Sequence, residues 1–124
     1  MPSFRMHLPI GHLRQGVTPA DVLREAADAL SALHVVESKD VEAPLVAGRR
    51  IGRVVLRFGV EPSSTADEDA AARAALAAVV AHLEERVGTI APASAVVLTR
   101  GHAGRFRPIP PSAAQGGVAG FELP

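Results

Sequence analysis

The chain has 124 residues, 48% of them hydrophobic and 21% charged, and its thirteen basic and thirteen acidic side chains cancel. That length suits one domain with a single core, and the apolar share excludes disorder over most of it. The balanced charge gives no global attraction to nucleic acid or to an anionic membrane, and the absence of cysteine excludes a disulfide framework, a thiolate metal site and a cysteine nucleophile.

Arg, Glu or Gly interrupts every apolar stretch well short of the roughly 18–20 residues a membrane span needs. Met1-Pro2-Ser3-Phe4-Arg5 lacks the basic and apolar regions of a secretory signal. The expectation is a cytoplasmic protein with no membrane partner.

Phe4, Met6, Leu8 and Ile10 alternate with Ser3, Arg5, His7 and Pro9, which predicts a first strand with one buried face. Thr18-Pro19-Ala20-Asp21 then supplies an N-cap, a proline at the first helical position and an acid three residues after the cap. The helix it opens places Val22, Leu23, Ala26, Leu30 and Leu33 on one face and ends near His34. Val35 to Val46 reads as extended but polar, with Pro44 fitting an edge position. After the turn-like Ala47-Gly48-Arg49-Arg50, alternation resumes from Ile51 to Glu61, with Val54, Leu56, Phe58 and Val60 on one side and Arg53, Val55 and Arg57 on the other.

Thr65 with Glu68 three beyond it repeats the capping pattern. It opens an Ala-rich helix carrying Leu76, Val79, Val80, Leu83 and Val87, with Gly88 as its C-terminal cap. Asp67-Glu68-Asp69 suits the positive end of that helix. A fourth strand is expected from Ala95 to Thr99, a turn at Gly101-His102-Ala103-Gly104, and a short fifth strand at Arg105-Phe106-Arg107-Pro108-Ile109.

The predicted class is therefore α+β: two β-α-β halves forming a four-stranded sheet with two helices on one face, plus a C-terminal hairpin. Residues 1–109 form the domain, and 110–124 a tail that is flexible or packed on a neighbouring subunit. Two arrangements share this element order. In the ferredoxin-like sandwich a hairpin joins the second and third strands. In the other, the strands of each half pair in parallel.

Met1-Pro2 running straight into a strand, the two β-α-β halves, and Glu85-Arg86-Val87-Gly88-Thr89-Ile90-Ala91-Pro92 leading into Val96-Val97-Leu98 together resemble the tautomerase superfamily. Gly104-Arg105-Phe106-Arg107-Pro108 is similar to the C-terminal segment of its cis-3-chloroacrylic acid dehalogenase branch. The resemblance implies an isomerase or lyase in which Pro2, exposed by removal of Met1, is the catalytic base or nucleophile. An α-amino group has a reference pKa of roughly 7.7–8.0, which burial or nearby cations lower toward neutrality. It also implies a small keto/enol or unsaturated carboxylic acid as substrate, no cofactor, and a trimer.

Arginine suits the carboxylate because its planar fork binds both oxygens. Glu61 to Asp67, where members of the superfamily usually place one, holds no cation here. The candidates that remain are Arg57, Arg105 and Arg107, with His102 beside them in the predicted turn. The alternative reading makes Pro2 a strand-start residue and the protein a non-catalytic ferredoxin-like ligand-binding or assembly module, dimeric through its open sheet face.

Other chemistry finds little support. His7 and His12 match no metal-ligand spacing, and His34 and His82 sit late on helices where a cation favours the dipole. Arg5, His7, Arg53 and Arg57 form a basic stripe, but with only four Phe and neither Tyr nor Trp the chain is poor in the stacking residues of RNA-binding sheets. No phosphate-loop or nucleophile-elbow motif occurs.

Overall fold

A computed structural model describes residues 1–110 of the chain. Its elements are β1 (Ser3–Leu13), α1 (Pro19–Ser31), β2 (Val35–Glu42), β3 (Leu45–Val46), β4 (Arg49–Arg50), β5 (Arg53–Gly59), α2 (Thr65–Arg86), β6 (Gly88–Ile90), β7 (Val97–His102) and β8 (Arg105–Pro108), with a 3-10 turn at Ala93–Ala95. The fold is α+β, with two helices and an open antiparallel sheet in the order β2-β5-β1-β7-β8.

The long β1 is the axis of the sheet. One edge pairs with β5 from Ser3↔Gly59 to Pro9↔Arg53. The other is shared, its first half with β7 and its last residues with β6. β2 and β5 form a hairpin, one of the two arrangements open to the second and third strands, interrupted by the small β3–β4 ribbon whose turn holds Ala47 and Gly48 at positive φ. Among the described residues every strand pair is antiparallel, so the parallel pairing within each half is not formed.

Alternation decides which face is buried. Phe4, Met6 and Leu8 of β1 and Val54, Leu56 and Phe58 of β5 are fully buried beneath Val22, Ala26 and Leu30 of α1 and Ala72, Ala75, Val79 and Leu83 of α2. Phe4 and Phe58 stack with centroids 5.9 Å apart, and the His34 ring lies tilted against Phe58 at the same distance. Arg5, His7, Arg53, Val55 and Arg57 occupy the opposite, open face, as the period-2 pattern predicts.

The first capping box forms as expected: Thr18 Oγ1 accepts from Asp21 N–H at 3.2 Å, and Asp21 Oδ2 accepts from Thr18 N–H at 2.9 Å. The second helix differs from expectation. Ser64, not Thr65, is its N-cap, with Oγ accepting from Asp67 N–H at 3.1 Å. That frees Glu68, whose Oε2 accepts from Ser63 N–H at 2.8 Å while Oε1 meets Arg100 Nη2 at 2.6 Å. Arg100 Nη1 also binds Asp69 Oδ1 at 2.8 Å, so the acidic run ties α2 to β7 as well as favouring the helix dipole.

Gly88 is not a C-terminal cap either. Val87 takes that position, and Gly88 opens β6 at φ 152° because β1 passes so close that a Cβ would lie 2.8 Å from Leu13 Cα and strike the His12 carbonyl. β6 itself was not expected, and β7 begins and ends later than the strand predicted from Ala95 to Thr99. Gly101 and His102 are in β7, and the turn is confined to Ala103 and Gly104, both at positive φ. His82 Nε2 lies 2.9 Å from Glu25 Oε1, joining the two helices.

Candidate functional site

The N-terminus and the β7–β8 turn meet because β1 and β7 are neighbours. Phe4 pairs with Arg100, which sets Pro2 and Ser3 beside Gly101 and the turn beyond it. Met1, Pro2, Ser3, Arg57 and the segment from Gly101 to Phe106 together line a shallow depression of about 310 Å³. Four of the residues singled out in the sequence, Pro2, Arg57, His102 and Arg105, are thus brought together. Arg107 is not among the lining residues. In the β7–β8 register it stands opposite Arg100, further from the turn.

Pro2 is held by its carbonyl, which accepts from Val60 N–H at 3.0 Å and fixes the start of β1 against the end of β5. Met1 precedes it, 63% exposed, with its side chain lying over Gly59. Any role for the Pro2 nitrogen as a base therefore requires that Met1 be removed.

A bulge in β2 supplies the acidic group of the site. Val36 pairs with Phe58 and Ser38 with Arg57, which leaves Glu37 as the extra residue. The bulge turns its carboxylate onto the open face. There Glu37 Oε1 accepts from Arg57 Nε at 2.8 Å and from Ser3 Oγ at 2.8 Å. Arg57 is thereby aimed, and at 44% side-chain exposure its remaining N–H groups are open to a ligand. Arg105 and His102 are exposed and make no ion pair among the described residues.

The sequence reading missed Phe106 as part of this site. Its ring lies on Gly101, where a side chain would come within 3.1–3.2 Å of the ring edge, and it takes the Arg5 guanidinium at 4.0 Å and that of Arg57 at 5.3 Å from its centroid. Cation–π contact of this kind draws both guanidiniums toward the ring. The signal was present in Arg105-Phe106-Arg107, since alternation along a strand puts the ring on the opposite face from its two arginine neighbours.

Next along the open face, the His7 pKa is lowered from its ordinary 6.5, first by burial and then by the Arg53 and Arg5 charges, with Glu42 opposing weakly. Glu42 is engaged by Arg53, whose Nη2 lies 2.6 Å from Oε1. On the helix side, the Glu68 carboxyl is held below its ordinary 4.5 by the Ser63 N–H, then by Arg100, with a smaller contribution from the N-terminal ammonium. The described residues contain no group of three or more His, Asp or Glu placed to hold a metal ion. No helix among them is long and apolar enough to cross a membrane.

Chemically the depression offers two guanidiniums, an imidazole and the chain's amino terminus around one compensating carboxylate. That is an excess of donors and positive charge, suited to an anion. Its volume lies at the lower end of the roughly 300–1,000 Å³ typical of small-molecule sites, which suits a small ligand. No protein-family model matches the chain, and no curated protein is similar enough to it in sequence to count as a relative.

Proposed function

We propose that this protein is a ferredoxin-like module that binds a small carboxylate in the depression between its N-terminus and the β7–β8 turn. The observation that carries the reading is the convergence of Pro2, Arg57, His102 and Arg105 on that one depression. The strand order β2-β5-β1-β7 and the β2–β5 hairpin support the ferredoxin-like side of the expectation. Arg57, oriented by Glu37 and Phe106, holds the carboxylate oxygens from the open face, and Arg105 and His102 donate from the rim at the β7–β8 turn.

The open face favours ligand binding over assembly through apolar burial. Arg53–Glu42 and Arg57–Glu37 are ion pairs completed within the chain on that face. Desolvating such pairs in a subunit interface costs free energy that a hydrophobic interface does not.

A second reading has its own observation: Pro2 lines the same depression as the arginines. With Met1 removed, its secondary amine takes a proton from the carbon beside a carbonyl, or directs water onto an unsaturated acid, while Arg57 and Arg105 hold the carboxylate. The protein is then an isomerase or lyase needing no cofactor.

Calorimetric titration with pyruvate and crotonate tests both. Arg105→Ala and Arg57→Ala are each expected to weaken binding about tenfold or more, with Arg107→Ala unchanged. Equal affinity in all three variants contradicts the site. Intact mass then separates the readings: retained Met1 eliminates catalysis by Pro2 and leaves carboxylate binding standing. If Met1 is absent, Pro2→Ala must abolish turnover of a keto/enol or unsaturated-acid panel while preserving binding.

A further inference from the structure

Helix α2 is apolar on two faces. Ala72, Ala75, Val79 and Leu83 enter the core, while Leu76 and Val80 are only partly buried at its side. A helix that is hydrophobic beyond one stripe is normally covered on the extra face as well. Here Leu76 and Val80, with Ile90, Val96 and Leu98, wall a groove of about 670 Å³ whose lining shares no residue with the carboxylate depression. The end of the groove nearest the C-terminus of α2 is acidic. Glu84 lines it and Glu85 follows, both exposed and without an ion pair among the described residues, and the last carbonyls of the helix add partial negative charge. Arg86, the basic residue of that last turn, is engaged instead by Glu25 of α1 at 3.4 Å.

The complementary features stand on the β3–β4 ribbon. It lies outside the main sheet and pairs Leu45 with Arg50 and Val46 with Arg49, and so short a two-stranded ribbon is marginal in water without something to pack against. Its base is held: Ile51 N–H donates to Pro44 O at 3.0 Å, and Arg50 Nη1 to Ala43 O at 2.9 Å. Leu45 is left 64% exposed, more than any other large apolar residue described. Residues 43–52 contain two arginines and no acid, and Arg49 is exposed with no ion pair among the described residues. The ribbon grows from the β2–β5 hairpin, whereas β6 and β7 line the groove from the other edge of β1, so the Leu45 of one chain does not fill its own groove.

We propose that the β3–β4 ribbon of one copy docks in the α2 groove of a second copy, with Leu45 among Leu76, Val80 and Leu98 and Arg49 against Glu84. The apolar knob meets an apolar cleft and the unpaired cation meets its acidic end. The contact joins two different surfaces, so every copy offers both a ribbon and a groove to its neighbours. The open sheet face, with its internally completed ion pairs, takes no part in it.

Sedimentation velocity on the full chain over rising protein concentration tests this. Wild type is expected to associate, and Leu45→Asp to weaken the association by at least about tenfold. Arg49→Glu and Glu84→Arg, both at exposed positions, are each expected to weaken it severalfold, and the two exchanges in one chain to restore it. That recovery separates a ribbon-to-groove contact from damage to either copy's fold. A wild-type chain that stays monomeric at millimolar concentration overturns the proposal. So does association indifferent to Leu45→Asp, or a double exchange no better than the single ones.

Discussion

Two side chains give this domain separable acid responses. The His7 imidazole is kept neutral by burial and by Arg53 and Arg5, so its folded pKa lies below its ordinary 6.5. The stability it contributes is complete above about pH 6.5 and is lost as pH falls toward the folded value, because the unfolded chain then binds a proton that the folded one refuses. His7→Gln should flatten the urea midpoint over that interval, and the His7 ring signals should titrate below those of a model histidine. Glu68 acts lower. Its carboxyl, held under the ordinary 4.5 by Ser63 N–H and Arg100, stabilises the fold above that pH and ceases to do so as acid protonates it in the folded state. Glu68→Gln is therefore expected to remove the part of the acid limb below about pH 4.5 and to leave the His7 interval unchanged. An acid limb identical to wild type contradicts the ion-pair geometry.

These residue-scale features were the least legible in the sequence. Asp67-Glu68-Asp69 reads as helix-start chemistry, which it is, but the partner of Glu68 is Arg100, thirty-two positions away, and only the β1–β7 pairing brings it near. Glu37 is likewise invisible as a site residue until the bulge after Val36 turns it toward Arg57. A strand pattern of period 2 cannot announce an irregularity that breaks its own period.

Elements with strong local grammar were easier to read. The first strand, the Thr18 cap and the alternation of β5 follow from spacing alone, and Phe4, Met6, Leu8, Val54, Leu56 and Phe58 are buried as they predict, whereas Leu33, expected on the apolar face of α1, lies beyond the helix and is exposed. Errors arose where a second element dictated the backbone. Gly88 looks like a helix terminator because it directly follows Val87, the last residue of the periodic apolar face, yet its φ of 152° serves the approach of β1. Gly88→Ala is therefore expected to cost about 2–3 kcal/mol, combining backbone strain with the clash at Leu13, against a few tenths for an exposed cap. Denaturant midpoints measure the difference, and a neutral Gly88→Ala contradicts the close β1–β6 contact. Phe58→Ala, which removes the ring between Phe4 and His34, is expected to cost roughly 3–5 kcal/mol.

At the scale of the molecule, the order of elements was readable but their pairing was not. Two β-α-β halves allow either parallel strands within each half or a hairpin between the halves, and the hydrophobic pattern of each strand is the same in both. What separates them is long-range hydrogen bonding, here β2 with β5 and β7 with β1, all antiparallel. The same pairing carries the β7–β8 turn to the N-terminus, so that Pro2, Arg57, His102 and Arg105 share one depression although they span almost the whole described chain.

The most direct measurement is a backbone amide NMR titration of the full chain with pyruvate. The account predicts shift changes at Ser3, Arg57 and Gly101 to Phe106 that saturate together and vanish in Arg105→Ala. Changes centred elsewhere, or none at millimolar pyruvate and crotonate, would contradict a carboxylate site between the N-terminus and the β7–β8 turn.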